Sequence, residues 1–217
     1  MKTLKNIFVG FLVSFIGSIP LGYLNIVGYD VYKKSGLNDT YLYLSGVITI
    51  EFLVILFTLF FANQLMNNKK LIKYIEGFSI IFMFILAYIF YSNSSSGASN
   101  HSFLDYYKNY SSYTVGLVLS CLNFIQIPFW LGWNLYLLNA KYIDVSKSNK
   151  YFYVLGTLVG TFLGMLALIL SLNYVTDQND FLSKYLMKVI IPLVFVGLGF
   201  FQGIKFYKKY KFPQENN

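Results

Sequence analysis

The sequence contains no arginine, one cysteine and one histidine, and only 12% of its residues are charged. A lone Cys121 has no partner for an intramolecular dithiol, which excludes the electron relay of a membrane thiol oxidoreductase. His101 lies in a long loop, so no imidazole metal centre is expected within the apolar segments. Phosphate-binding loops, paired intramembrane aspartates and Ser–Lys dyads are also missing from the motif pattern. We therefore predict neither an enzyme nor a bound cofactor or metal.

What the chain has in excess is apolar residues. Of its 217 residues 56% are hydrophobic, and its mean hydropathy is +0.55. The charges fall in short clusters between apolar runs of about 20 residues, the length at which a helix crosses a hydrocarbon core. Because these runs are apolar on all sides, we predict an all-α membrane protein of one transmembrane domain, residues 1–217. The six predicted spans are 7–29, 41–62, 72–91, 113–138, 151–175 and 186–206.

The first apolar run follows Lys2 and Lys5, as a signal peptide would. A small-x-small cleavage pattern does not follow it, and Pro20 and Gly22 interrupt it, so we interpret it as the first span. Lysines are concentrated on the side of both termini, including Lys69, Lys70 and the tail 207–217. The positive-inside rule then places both termini in the cytoplasm. The net charge of +8 fits attraction to anionic lipid rather than binding of nucleic acid.

The spans divide into two halves, 7–91 and 113–206, joined by a Ser- and Gly-rich linker at 92–112. Each half opens with a small-residue span that runs into a proline, Pro20 in the first and Pro128 in the second. The start of each second span also corresponds, from Tyr41 to Gly46 and from Tyr151 to Gly156. Because three spans is an odd number, the halves are predicted to be inverted repeats, a pattern typical of secondary transporters.

Proline removes a backbone N–H and breaks a helix, and free backbone groups within a membrane must line a cavity or be buried in protein. We therefore predict a solute site at the two breaks. The residues expected to form it are Pro20 and Pro128 at the breaks together with polar side chains, which line it or else bond between packed helices: Ser14, Ser18, Asn25, Asn123, Gln126 and Asn134.

Glu51 is near the centre of the second span. An acid at that depth is costly unless it is protonated, paired or hydrated. Its counterpart in the second half is Thr161, so the acid is not repeated. We predict a coupling or substrate role for Glu51, against the alternative of a protonated side chain bonded to a neighbouring helix.

Two smaller features carry their own predictions. Gly156, Gly160 and Gly164 form a ridge of small residues on the fifth span. Such a ridge packs closely either within the monomer or in a homo-oligomer, and we favour the monomer. Near the end of the third span, Glu76 is expected to pair with Lys73, three residues before it.

The chain resembles the lysine-exporter (LysE/RhtB-type) amino-acid efflux proteins. These begin with a Gly- and Ser-containing span that enters a Pro-Gly-Pro element, and they place an Asn-Pro-Lys element in the fourth span. The corresponding stretches are Ser18-Ile19-Pro20-Leu21-Gly22 and Asn123 through Trp130. The second proline of the first element and the lysine after Pro128 are missing here. The span order and loop lengths agree over nearly the whole chain.

The resemblance implies proton-coupled export of amino acids or related small metabolites across the bacterial cytoplasmic membrane. The expected partners are then the lipid bilayer, a small solute and protons. Two alternatives remain: a non-transporting scaffold or accessory subunit of transporter ancestry, and a metal-ion exporter.

Overall fold

The computed structural model describes residues 2–18, 22–67, 110–146, 148–177 and 189–211, with part of 70–91. Every regular element in these ranges is a helix. Scattered described residues between 70 and 91 are helical as well. The principal helices are α1 (Lys2–Ser18), α2 (Tyr23–Asn67), α3 (Ser112–Leu122), α4 (Gln126–Asn139), α5 (Asn149–Asp177) and α6 (Ile191–Lys211).

The first apolar run, predicted as a single interrupted span, forms two helices. Helix α1 ends at Ser18 and α2 begins at Tyr23. Pro20 itself lies outside the described residues, as does most of the predicted linker.

The fourth predicted span is also broken, but not at Pro128 as the sequence suggested. Helix α3 ends at Leu122, α4 begins at Gln126, and the two are bent by 72°. Pro128 lies in the first turn of α4, where the missing N–H costs no hydrogen bond because first-turn N–H groups have no partner within the helix. The break therefore precedes the proline.

Residues 30–40, expected to connect two spans, remain helical except at one hinge. Gly36 has a φ of 82°, a conformation that glycine adopts readily and other residues rarely do. Across this hinge, the Tyr43 hydroxyl donates a hydrogen bond to the carbonyl of Leu24 at 2.8 Å. This hydrogen bond connects the helical segments of α2 that precede and follow Gly36.

Among the described residues, two helices are long and apolar enough to cross a membrane, at Tyr23–Phe61 and Asn149–Thr176. A third span is added if the bent pair α3–α4 counts as one. Large apolar side chains are common on the surface as well as in the core, and several polar side chains are buried. Large apolar residues such as Phe8, Leu53 and Phe200 are exposed, whereas Asn134 and Thr157 are fully buried. These features are compatible with a helical membrane protein.

Helix α1 packs on α5 through close backbone contacts. A Cβ on Gly10 would overlap the carbonyl of Tyr153, and a Cβ on Gly156 would overlap that of Ile7. Gly160 and Gly164 extend the same contact along α1. The glycine ridge therefore packs within the monomer, as predicted.

Helix α3 packs on α2 in the same way. Gly116 faces the carbonyl of Tyr43, and Gly46 faces that of Tyr113. A buried serine completes each pair of helices: Ser14 donates to the carbonyl of Thr157 at 2.7 Å, and Ser120 donates to that of Val47 at 3.2 Å. The two contacts use residues that occupy corresponding places in the two halves of the sequence.

Candidate functional site

A cavity of about 280 Å³ lies where the two helix breaks meet α2 and α5. The break between α1 and α2 contributes Ser18 and Gly22, and the break between α3 and α4 contributes Asn123 and Ile125. Its remaining walls are mainly apolar and aromatic. The other lining residues are Tyr23, Leu24, Asn25, Val47, Glu51, Phe78, Phe124, Gln126, Phe129, Trp130, Thr161, Met165 and Leu198.

Glu51 is the acidic residue of this lining, and only 9% of its surface is exposed. Its Oε1 accepts two hydrogen bonds, from Trp130 Nε1 and from Thr161 Oγ1, both at 3.1 Å. Its Oε2 is buried and has no hydrogen-bond partner among the described residues. One carboxyl oxygen is thus held in place while the other is left to a proton or a positively charged ligand.

Two predicted site residues stabilise the helix ends that form the cavity. The Asn25 amide donates to the carbonyl of Ser18, the last residue of α1, at 2.9 Å. Similarly, the Gln126 amide donates to the carbonyl of Ser120 at 2.8 Å, near the end of α3. Each amide binds a carbonyl in the last turn of the helix that ends at the break, and the Ser120 carbonyl also accepts the Asn123 N–H at 3.1 Å. These contacts link each helix end to the residues that follow the break.

Ser14 does not line the cavity. Its hydroxyl is buried against α5, where it bonds to the Thr157 carbonyl and to the Thr161 hydroxyl at 2.5 Å. Thr161 in turn donates to Glu51, so Ser14 is connected to the acid through the Thr161 hydroxyl. Its predicted role as a lining residue becomes a positioning role.

Asn134 is likewise outside the cavity lining, and it belongs to a buried network. It accepts a hydrogen bond from the Tyr153 hydroxyl at 2.8 Å and donates one to Thr58 Oγ1 at 3.0 Å. The side chain joins α4, α5 and α2, because each of its partners is on a different helix. This geometry assigns Asn134 to packing between helices rather than to solute contact.

Replacing Asn134 with leucine is expected to destabilise the protein by about 1–3 kcal/mol, because Tyr153 and Thr58 lose their buried partner. Thermal unfolding of the purified protein in detergent measures this change. Tyr136→Leu, on the exposed face of the same helix, is the control and should shift stability by less than about 0.5 kcal/mol. Equal stability of the two variants would contradict the network.

Pro128 lines a second cavity, which shares Ile125 and Phe129 with the first. This cavity also contains Glu76 and Lys209, which form an ion pair at 2.6 Å. Burial lowers the pKa of Lys209, but the hydrogen bond and charge of Glu76 outweigh it, so that this pKa lies above its ordinary value. The partner of Glu76 in the structure is therefore Lys209, not Lys73 as predicted from helical spacing.

The structure brings together Glu51, Ser18, Asn25, Asn123 and Gln126 from the predicted set. It adds two partners of Glu51 that sequence reasoning did not assign, Trp130 and Thr161. Both had a signal in the sequence. Trp130 lies at helical spacing from Asn123 and Asn134 in the predicted fourth span, and Thr161 occupies the position in the second half that corresponds to Glu51.

No family model matches the chain, and searches of curated proteins and of solved structures find no match either. The resemblance to the lysine exporters therefore stays a prediction. Within the described residues, no group of three metal-ligating side chains occurs.

Proposed function

We propose that this protein is a secondary transporter of the bacterial cytoplasmic membrane that exports amino acids or related small metabolites in exchange for protons. The observation that carries the proposal is Glu51, which lines a cavity between two broken helices and whose buried Oε2 has no hydrogen-bond partner among the described residues. Broken helices are the usual means by which transporters expose polar backbone to a solute within a membrane.

The chemistry of Glu51 suits exchange of a proton for a cargo ammonium group. A carboxylate without a cation is unfavourable in so buried a place, so the empty site is most stable when Oε2 carries a proton. An arriving ammonium replaces that proton and satisfies the same oxygen. Since only one of the two occupants fits at a time, binding of cargo and release of a proton are linked.

The paired contacts of the helices support an inverted repeat of three plus three spans. Helices α1 and α3 begin the two halves, and each packs on the second span of the opposite half through equivalent glycines. Glu51 and Thr161, the counterparts in the two second spans, are hydrogen-bonded to each other. Corresponding residues meet in this way when a pseudo-two-fold axis passes between them.

The second cavity is the candidate route between the central cavity and the surface, because its lining includes the exposed side chain of Lys209. Ile125 and Phe129 separate it from the central cavity, and the Glu76–Lys209 ion pair lies within it. Alternating access requires that such a partition open to one side at a time. Phe129 packs over Gly17 of α1, so movement of α4 against α1 would displace the ring.

Counterflow in proteoliposomes tests the proposal. Purified protein is reconstituted with an unlabelled amino acid inside, and uptake of labelled apolar, polar, acidic and basic amino acids is measured with and without a pH gradient. We expect exchange above that of empty liposomes for at least one class, and a change of net flux when the pH gradient is applied. Net flux that ignores the gradient would overturn proton coupling alone.

An absence of flux across the whole panel would overturn the transport function. The scaffold alternative then predicts a stable partner that copurifies with the chain, and a cellular phenotype that tolerates both Pro20→Ala and Glu51→Gln. A metal-ion exporter is not favoured, because Glu51 is the one acidic side chain among the residues that line the central cavity.

A further inference from the structure

The lining of the central cavity specifies its cargo more narrowly than the proposed function does. We propose that the cargo has a single ammonium group on an apolar body, and that a second ammonium group or a strongly polar side chain is rejected. This inference rests on the proposed transport function. Three features of the lining support it: its charge, the engagement of its hydrogen-bond donors with the protein, and its aromatic walls.

The charge of the lining is one carboxyl group. Glu51 is present, and none of the described lining residues is a lysine or a histidine. A singly charged ammonium at Oε2 is therefore neutralised, and the pair remains as a neutral unit. A second ammonium, such as that of a lysine side chain, would enter the cavity without an acid to meet it.

Most hydrogen-bond donors of the lining are engaged with the protein. The Tyr23 hydroxyl donates to the carbonyl of Leu119 at 2.5 Å, and Trp130 donates to Glu51. The amides of Asn25 and Gln126 donate to the ends of α1 and α3. A cargo hydroxyl or amide would lose its water without finding these donors available, which disfavours polar side chains.

The walls around Glu51 are suited to an apolar body. Phe78 and Phe124 meet edge to face at 5.0 Å between ring centroids, and Phe129 meets Trp130 at 5.3 Å. Such pairs hold the rings in place before cargo arrives, and aromatic faces also attract a cation. The volume of about 280 Å³ equals that of roughly nine liquid water molecules, sufficient for an amino acid with a large side chain.

Two sources supply this chemistry, apolar amino acids and apolar amines. The test measures counterflow of labelled phenylalanine and labelled phenethylamine in proteoliposomes, with unlabelled leucine, lysine, serine and 3-phenylpropionate as competitors. We expect leucine to compete at least about tenfold better than lysine or serine, and 3-phenylpropionate, which lacks the amine, not to compete. Flux of phenylalanine alone identifies an amino-acid carrier, whereas flux of phenethylamine identifies an amine carrier; either supports the proposal.

A second test uses a variant that is expected to gain transport of lysine. A misfolded protein would lose transport and could not show this gain. Met165 lines the cavity one turn after Thr161 on α5, so Met165→Glu places a second acid near the first. The ratio of lysine to phenylalanine counterflow is expected to rise at least about tenfold. Met165→Gln has a similar size without the charge, and its ratio separates the effect of charge from that of polarity.

The possible outcomes distinguish a failure of the cargo inference from a failure of the proposed transport function. Preference of the native protein for lysine or serine over the apolar compounds would overturn the inference and leave the transporter intact. No flux of any compound would overturn the transport function itself. If Met165→Glu fails to fold, the competition series on the native protein still decides.

Discussion

Replacing Glu51 with glutamine is expected to abolish proton-coupled flux while the protein still folds. Glutamine has the same shape, and its carbonyl oxygen can accept the hydrogen bonds that Trp130 and Thr161 donate to Oε1. Its amide, however, carries neither an exchangeable acidic proton nor a negative charge. Loss of a charge-assisted contact weakens ammonium binding by about 10- to 100-fold.

The measurement is net flux in proteoliposomes with and without a pH gradient, at equal amounts of reconstituted protein. Asp30→Asn is the matched control, because Asp30 pairs with Lys34 one turn away and does not line the cavity. Its rate is expected within about twofold of the native rate, as is usual for an ion pair of this kind. Native flux in Glu51→Gln would remove the coupling role from this residue.

Replacing Gly46 with alanine is expected to destabilise the protein by about 1–3 kcal/mol, although the added group is a single methyl. The methyl would overlap the backbone carbonyl of Tyr113, so α2 and α3 must move apart along their contact. Gly116→Ala and Gly156→Ala meet backbone in the same way and should give losses of similar size. Thermal unfolding in detergent measures all three.

Gly132→Ala is the control for these variants. Gly132 lies in α4, and a Cβ there would meet nothing within 4 Å. Alanine is the better helix former by about 1 kcal/mol, so this variant should equal or exceed the native stability. If Gly46→Ala were as stable as Gly132→Ala, the close backbone contact between α2 and α3 would be refuted.

The positions of the helix breaks were predictable from the sequence to within a few residues. The place of each proline relative to its break was not. Proline in a span signals an interruption, and α1 does end shortly before Pro20. In the second half the helix breaks at Asn123–Ile125, and Pro128 follows inside the first turn of α4. A proline is compatible with either the break or the first turn after it, and the sequence does not distinguish these places.

The candidate site was predictable as a set of residues, not as a set of contacts. Glu51 stood out because an acid deep in an apolar span is rare, and it does line the cavity. Asn134 and Asn123 are both polar residues within the predicted fourth span. In the structure, however, Asn134 bonds between packed helices and does not line the cavity. Which face a helix turns toward its neighbours depends on the whole assembly, and spacing along one helix does not contain that information.

Composition and spacing alone were sufficient to identify an apolar all-helical protein with one deeply placed acid and two interrupted segments, because helix length and hydrophobicity are local properties of the chain. Tertiary structure decided that Trp130 and Thr161 hold one oxygen of Glu51 and that the other is buried without a hydrogen-bond partner among the described residues. It also decided that Glu76 pairs with Lys209. These contacts join residues distant in sequence, and only the packing of the helices brings them together.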